Sequence, residues 1–173
     1  GARERPFKCV WKKRAAMMVE RDIEVLRRTA LFARVDPVRL EVLAFTAAHR
    51  HFKEGTLVIE RGQLLEGAYV VLEGSAVMLG EDGEGRPMAS RLDRGDIIGE
   101  TALMKPVPAK ASVRAGEALE LMEISRALFA RLTDEFPELA LGVAAAAADR
   151  LEGISGALRG LLQEKKEKER GRV

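Results

Sequence analysis

The chain has a single cysteine, Cys9, among 173 residues. One thiol excludes an internal disulfide and fits a reducing compartment. Aromatic residues are scarce at 5%, so aliphatic side chains must carry the core. No run of about 18 apolar residues occurs, and the basic N-terminal residues are not followed by an apolar core of signal-peptide length. The expectation is a cytoplasmic protein with no membrane partner. An excess of one charge is also missing: 29 basic against 27 acidic residues leave a net +2, so the chain as a whole has no pull towards nucleic acid. There is no Gly-rich triphosphate loop, no Gly-x-Ser-x-Gly elbow and no Cys/His zinc pattern. No catalytic residue, metal site or cofactor is therefore predicted, and the chain reads as a non-enzyme.

The charge that is present is unevenly placed. Residues 1–14 hold Arg3, Arg5, Lys8, Lys12, Lys13 and Arg14 against Glu4 alone, and the remainder is mildly acidic. Phe7 and Trp11 in that arm could stack on bases, which keeps a nucleic-acid reading open beside the simpler one of a solvated terminus. The chain opens on Gly1 while Met17 and Met18 directly precede the first amphipathic pattern. Residues 1–18 are read as a basic extension or a cloning remnant, residues 19–136 as the folded unit with its flanking helices, and residues 137–173 as a long C-terminal helix with a charged tail.

Within the folded unit, Val19, Ile23, Leu26, Leu31 and Phe32 suggest one helix, and Asp36-Pro37 opens a second in which Leu40, Leu43 and Ala44 form a buried stripe. The period then changes. Between residues 52 and 124, glycines cut the chain into pieces of strand length: "TLVIE", "AYVVLEG", "SAVMLG", "MASRLD", "ASVRA" and "ALELMEI". "EDGEG" is a hairpin turn, because Asp-Gly readily adopts positive φ. Short strands with a turn about every ten residues predict an α+β, mainly β fold: an antiparallel double-stranded β-helix or jelly roll, flanked by N-terminal helices and a long C-terminal helix. Ser125 caps the helix "SRALFARLTDEF", which ends before Pro137. In the final helix Leu151, Ile154, Leu158 and Leu161 are spaced like a two-stranded coiled-coil seam, predicting a homodimer through that helix. Gly153, Gly156 and Gly160 would allow close approach, although each weakens the helix by roughly 1 kcal/mol relative to Ala. His49 and His51 fall on one side of a strand without further ligands, and are read as an ordinary surface pair.

The order of elements, together with "EGTLVIERG", "AYVVLEGSAVML", "LDRGDIIGETALM" and "ASVRAGEALELMEISRALFARL", resembles the cyclic-nucleotide-binding domain family, over about residues 22–162. That family includes bacterial catabolite activator proteins and protein kinase A regulatory subunits. The resemblance identifies "GETAL" as a phosphate-binding cassette. Gly99 would let the backbone approach a ligand, and free N–H groups at the start of the turn from Thr101 through Ala102 to Met104 would face an anion. Glu100 would accept from a ribose hydroxyl.

Two departures from the family stand out. The resemblance places an arginine ten residues after the cassette glycine, and here that position is Ala109, in "AKASV". The missing guanidinium would have made a bidentate contact to a cyclic phosphate. Lys110 is the nearest substitute, but strand alternation through Lys110, Ala111 and Ser112 would turn it away from the side of Ala109, and Lys105 is a second source of positive charge. Aligned without gaps, Ile154 and Ser155 fall where catabolite activator proteins place the Thr-Ser pair that reaches the purine. Ser155 keeps a hydroxyl and Ile154 does not.

The reading is a non-catalytic regulatory domain that senses a small anionic ligand, a cyclic nucleotide or another anion, with cyclic AMP binding weakened or lost. A ligand-free dimerisation or scaffold module with a vestigial pocket is the alternative. Too few residues follow the charged run for a recognition helix, so sequence-specific DNA binding by this chain alone is not expected.

Overall fold

The second helix starts where the sequence places it. The Asp36 carboxylate accepts a hydrogen bond from the Val38 N–H at 2.8 Å, Pro37 takes the first helical position, and α2 runs Pro37–Thr46. The computed structural model describes residues 5–81, 85–141 and 144, with side chains from Ala16 onward. In it α1 spans Arg5–Arg28. The boundary expected at residue 18 thus falls inside a continuous helix.

Leu31 and Phe32 are not helical, contrary to expectation, yet they are 1% and 0% exposed. The Thr29 N–H is shared by the carbonyls of Val25 and Leu26, tightening the last turn of α1, and Phe32 and Val35 donate three residues back. Successive tight turns preserve a near-helical spacing of apolar side chains after the helix has stopped. Periodicity alone could not see that end.

Ten strands follow: β1 Ala48–Phe52, β2 Leu57–Ile59, β3 Leu64–Leu65, β4 Gly67–Glu73, β5 Ala76–Glu81, β6 Pro87–Leu92, β7 Ile97–Ile98, β8 Val107–Pro108, β9 Ser112–Ala115 and β10 Leu119–Ser125. Two four-stranded antiparallel sheets, β1-β10-β4-β7 and β2-β9-β5-β6, form the roll, and β3 pairs with β8. This is the predicted mainly β architecture. β5 and β6 pair from Ala76↔Leu92 to Glu81↔Pro87, the register expected of a hairpin, although the turn residues 82–84 lie outside the described ones. β3, β7 and β8 escape the sequence reading because a two-residue strand has no period to display.

β4 and β10 sit centrally and bury both faces, which is why "AYVVLEG" and "ALELMEI" read as near-continuous apolar runs. Val70, Leu72, Met122 and Ile124 join the helices in one core. Val71, Leu119 and Leu121 turn the other way into a second core between the sheets. After the strands, α3 spans Arg126–Glu135, and the Ser125 hydroxyl accepts from the Leu128 N–H at 3.1 Å, as its sequence predicts. Residues 137–141 are helical. The proposed seam from Leu151 to Leu161, with its glycines, lies outside the described residues. Among those described, no helix is long and apolar enough to cross a membrane.

His49 does not form a surface pair with His51. It is largely buried within a charge cluster that ties α1 to the first sheet: its Nδ1 lies 2.9 Å from Glu120 Oε1 and its Nε2 lies 3.1 Å from Asp22 Oδ2. Arg21 grips Glu120 through two nitrogens, at 2.8 and 3.0 Å. Burial pushes the Glu120 carboxyl up, but hydrogen bonds from Arg21 and His49 outweigh it and hold the group below its ordinary value. At Asp22 the balance reverses: burial dominates over the Arg21 contact and raises the carboxyl above its ordinary value. Asp22 Oδ2 approaches His49 without hydrogen-bond geometry, so its desolvation is only partly offset.

Candidate functional site

The cassette is built by a backbone reversal after β7. Gly99 has φ +73°, a left-handed conformation open to glycine at little cost, and the next four residues, Glu100–Leu103, form a single 3-10 turn. A Cβ at Gly99 would meet Leu65 Cδ1 at 3.0 Å and the Gly67 carbonyl oxygen at 3.3 Å. The glycine is therefore required by the turn and its protein neighbours, whereas the sequence reading attributed it to ligand approach. Gly99→Ala is expected to cost about 1–2 kcal/mol of stability, measured by urea denaturation against the unsubstituted chain.

The turn is anchored in both cores at once. Ala102 is fully buried among the residues between the sheets, while Leu103 packs in the helix-side core with Phe129 and Leu132 of α3. The Ala102 N–H is consumed by the Gly99 carbonyl at 2.9 Å, and the Met104 N–H donates to Thr101 at 3.2 Å. The expected run of free donors is thus shorter than the motif suggests: Thr101 keeps an N–H with no protein partner among the described residues.

Beside this turn lies a cavity of about 490 Å³, in the range of small-molecule sites. Gly99, Glu100, Thr101, Ala109, Lys110 and Ala111 all line it, and Lys105 stands at its edge. The rest of the wall is apolar, from residues such as Ile59, Leu65, Met78 and Val113; none is a predicted site residue, although Ile59, Met78 and Val113 lie within the quoted motifs. Ala109 is 7% exposed and packs in the sheet–sheet core. Its backbone is held at both ends, donating to Gln63 and accepting from Gly62, each at 2.8 Å.

Lys110 is exposed yet contributes to the same wall as Ala109. The alternation argument does not apply because β9 begins only at Ser112; residues 109–111 precede it and all three contribute to the cavity wall. Two other predicted site residues lie off the wall. Ala102 lies under the turn and not on the cavity wall, and Ser112 is likewise absent from it, with its hydroxyl accepting from the Arg61 N–H at 3.0 Å. Ser155 lies outside the described residues.

This geometry coincides with a match to the cyclic nucleotide-binding domain profile across residues 49–136. The chain belongs to that family. The cAMP-activated global transcriptional regulator CRP of Escherichia coli O6:H1 is 34% identical over 122 residues, covering 69% of this chain and 58% of the relative. The chain thus aligns with little more than half the length of that curated relative. Among solved structures, the N-terminal domain of a transcriptional regulator from Streptomyces coelicolor A3(2) superposes with a TM-score of 0.69 at 26% identity, covering 78% of this chain and 94% of the other. The Thermus thermophilus catabolite activator protein gives 0.67 at 25% identity, covering 77% and 63%. The expected family and fold hold.

Proposed function

We propose that this domain is a non-catalytic, ligand-sensing regulatory unit whose altered cassette leaves cyclic AMP binding weak or lost. The observation that carries the proposal is Ala109: a buried methyl group on the cavity wall at the position where the family resemblance places a guanidinium. The retained turn still offers the Thr101 N–H, the Glu100 carboxylate and the two lysines at the edge, which suit a small anion bearing hydroxyl groups. Lys supplies a point charge and cannot reproduce a bidentate fork. The relatives named as cAMP-activated regulators support a nucleotide as the starting class of ligand.

Binding does regulatory work only when one conformation binds the ligand better than another. The cassette turn is suited to that coupling, since adjacent residues Ala102 and Leu103 are planted in the two different cores. A ligand that displaces the turn pulls on the helix-side core and hence on α3 and whatever follows it. Calorimetric titration of cyclic AMP is expected to give no heat or an affinity weaker than micromolar; a micromolar or tighter constant contradicts the proposal.

Exposed apolar side chains on the helices favour a second reading, a ligand-free association module. Phe45 and Val38 of α2 are 76% and 60% exposed, and Leu141 is 71% exposed. Self-association combined with no thermal shift across a panel of nucleotides would select this reading over the first.

A further inference from the structure

A second cavity, of about 570 Å³, adjoins the first and shares Met78, Ile98, Gly99 and Glu100 with it. Its distinguishing feature is three arginines from three parts of the chain: Arg28 at the end of α1, Arg91 on β6 and Arg94 in the turn between β6 and β7. The turn is held against the helix, since a Cβ at Gly95 would lie 3.8 Å from that of Arg28. None of the three arginines lines the cassette cavity.

Their present partners leave them available. Arg28 pairs with Glu24 at 2.7 Å, and Arg91 pairs with Asp93 at 2.7 Å and more loosely with Glu117 at 3.7 Å. All of these are solvent-exposed pairs, which contribute little and exchange readily for a stronger anion. The Arg94 side chain has no hydrogen-bond or ion-pair partner among the described residues. A guanidinium presents a planar fork that matches phosphate oxygens two at a time.

The wall also constrains what else the ligand carries. Glu100 and Asp96 would repel a bare anion placed against them. Asp96 is already occupied, accepting from the Asp93 N–H at 2.8 Å. Glu100 lines both cavities, and a carboxylate has lone pairs for more than one donor, so hydroxyl groups suit it. Met78 and Leu92 add apolar surface for a ring face. The volume falls within the range of about 300–1,000 Å³ typical of small-molecule sites and far exceeds that of a lone phosphate.

We propose that this cavity is a separate binding site for a phosphorylated pentose, free or within a nucleotide, with phosphate on Arg28, Arg91 and Arg94 and a sugar hydroxyl on Glu100. The phosphate contacts are independent of the cassette proposal, because the three cations belong to other elements; Glu100 is the one binding group the two cavities share.

The test is calorimetric titration of the full chain with ribose 5-phosphate, AMP and inorganic phosphate. Ribose 5-phosphate or AMP is expected to bind, and Arg94→Ala to weaken that binding at least about tenfold, as loss of a charge-assisted bidentate contact implies. Arg94→Lys restores charge without the fork and is expected to fall between the two. Thermal unfolding of Arg94→Ala should match the unsubstituted chain, since no partner is lost. Glu100→Gln is expected to weaken ribose 5-phosphate without weakening inorganic phosphate. AMP binding more tightly than ribose 5-phosphate identifies a nucleotide; equal affinities identify the pentose phosphate alone. The proposal is overturned if neither compound binds, or if Arg94→Ala binds as well as the unsubstituted chain, the result expected when the basic residues 3–14 collect the anion. Inorganic phosphate binding as tightly as ribose 5-phosphate also overturns it. The cassette proposal is tested with cyclic AMP and Ala109→Arg, and this one with ribose 5-phosphate and Arg94→Ala, so failure here and failure of the cassette proposal are distinguishable.

Discussion

Ala109→Arg is expected to tighten cyclic AMP binding by at least about tenfold, since hydrogen bonds to charged groups contribute about 1.5–3 kcal/mol each and 1.4 kcal/mol is tenfold in affinity. The position suits the gain. Ala109 lines the cavity with Thr101 and Lys110, and hydrogen bonds to Gln63 and Gly62 hold its backbone on either side, so a longer side chain would start from a fixed point on the cavity wall. The accompanying cost is modest crowding against Ile59, Leu65 and Val113, which share the core with Ala109. Calorimetric titration of both proteins with cyclic AMP decides the matter. An unchanged titration, with the variant folded by circular dichroism, would mean that the remaining turn cannot present a cyclic phosphate to the new fork, and the cassette interpretation would fall with it.

Glu120→Gln is expected to cost about 3 kcal/mol of stability, the lower end of the range for breaking a buried charge pair, because Arg21 keeps some access to water. The substitution removes the charge and replaces one of the two acceptor oxygens that hold the Arg21 nitrogens and the Nδ1 of His49 with an NH2 donor. It also carries a pH signature. Glu120 is held below its ordinary value of 4.5, so its contribution is fully present above pH 4.5 and disappears as pH falls through the lower folded value. The variant should therefore lose part of the acid-side decline in stability shown by the unsubstituted chain. Asp22 has the opposite sign: its folded value is raised above 3.8, so acidification through that window favours the folded state. Asp22→Asn is accordingly expected to cost less than about 1 kcal/mol at neutral pH, because the amide relieves a charge whose burial is only partly offset. Urea denaturation of both variants between pH 3 and pH 7 tests the pair. Equal losses, with parallel pH profiles, would show that His49 and Arg21 treat the two carboxylates alike.

Both expectations concern features of different legibility. Ala109 stands out in the linear chain because a motif of fixed spacing surrounds it, and the cavity wall contains it. Its neighbour Lys110 is less legible for a local reason: strand alternation does not apply to residues 109–111, which precede β9. Ser112 shows the same limit, since its hydroxyl is taken by Arg61, 51 residues earlier. The cluster around Glu120 was invisible. Arg21 and His49 lie 99 and 71 residues before Glu120, and nothing in the intervening composition signals that they meet.

What the chain determines by itself is local. Asp36-Pro37 and Ser125 start their helices because a side-chain oxygen satisfies an N–H two or three residues on, Asp-Gly predisposes a hairpin, and Gly99 permits the one backbone conformation that opens the cassette turn. These signals act within a few residues and survive in any fold that keeps them. The tertiary structure decides the rest: that β4 and β10 are covered on both faces, that His49 is enclosed by Asp22 and Glu120, and that Arg28, Arg91 and Arg94 line one cavity. Each of these depends on the register and packing of strands and helices far apart in the chain, where the interaction between two residues comes into existence only when the sheets have closed.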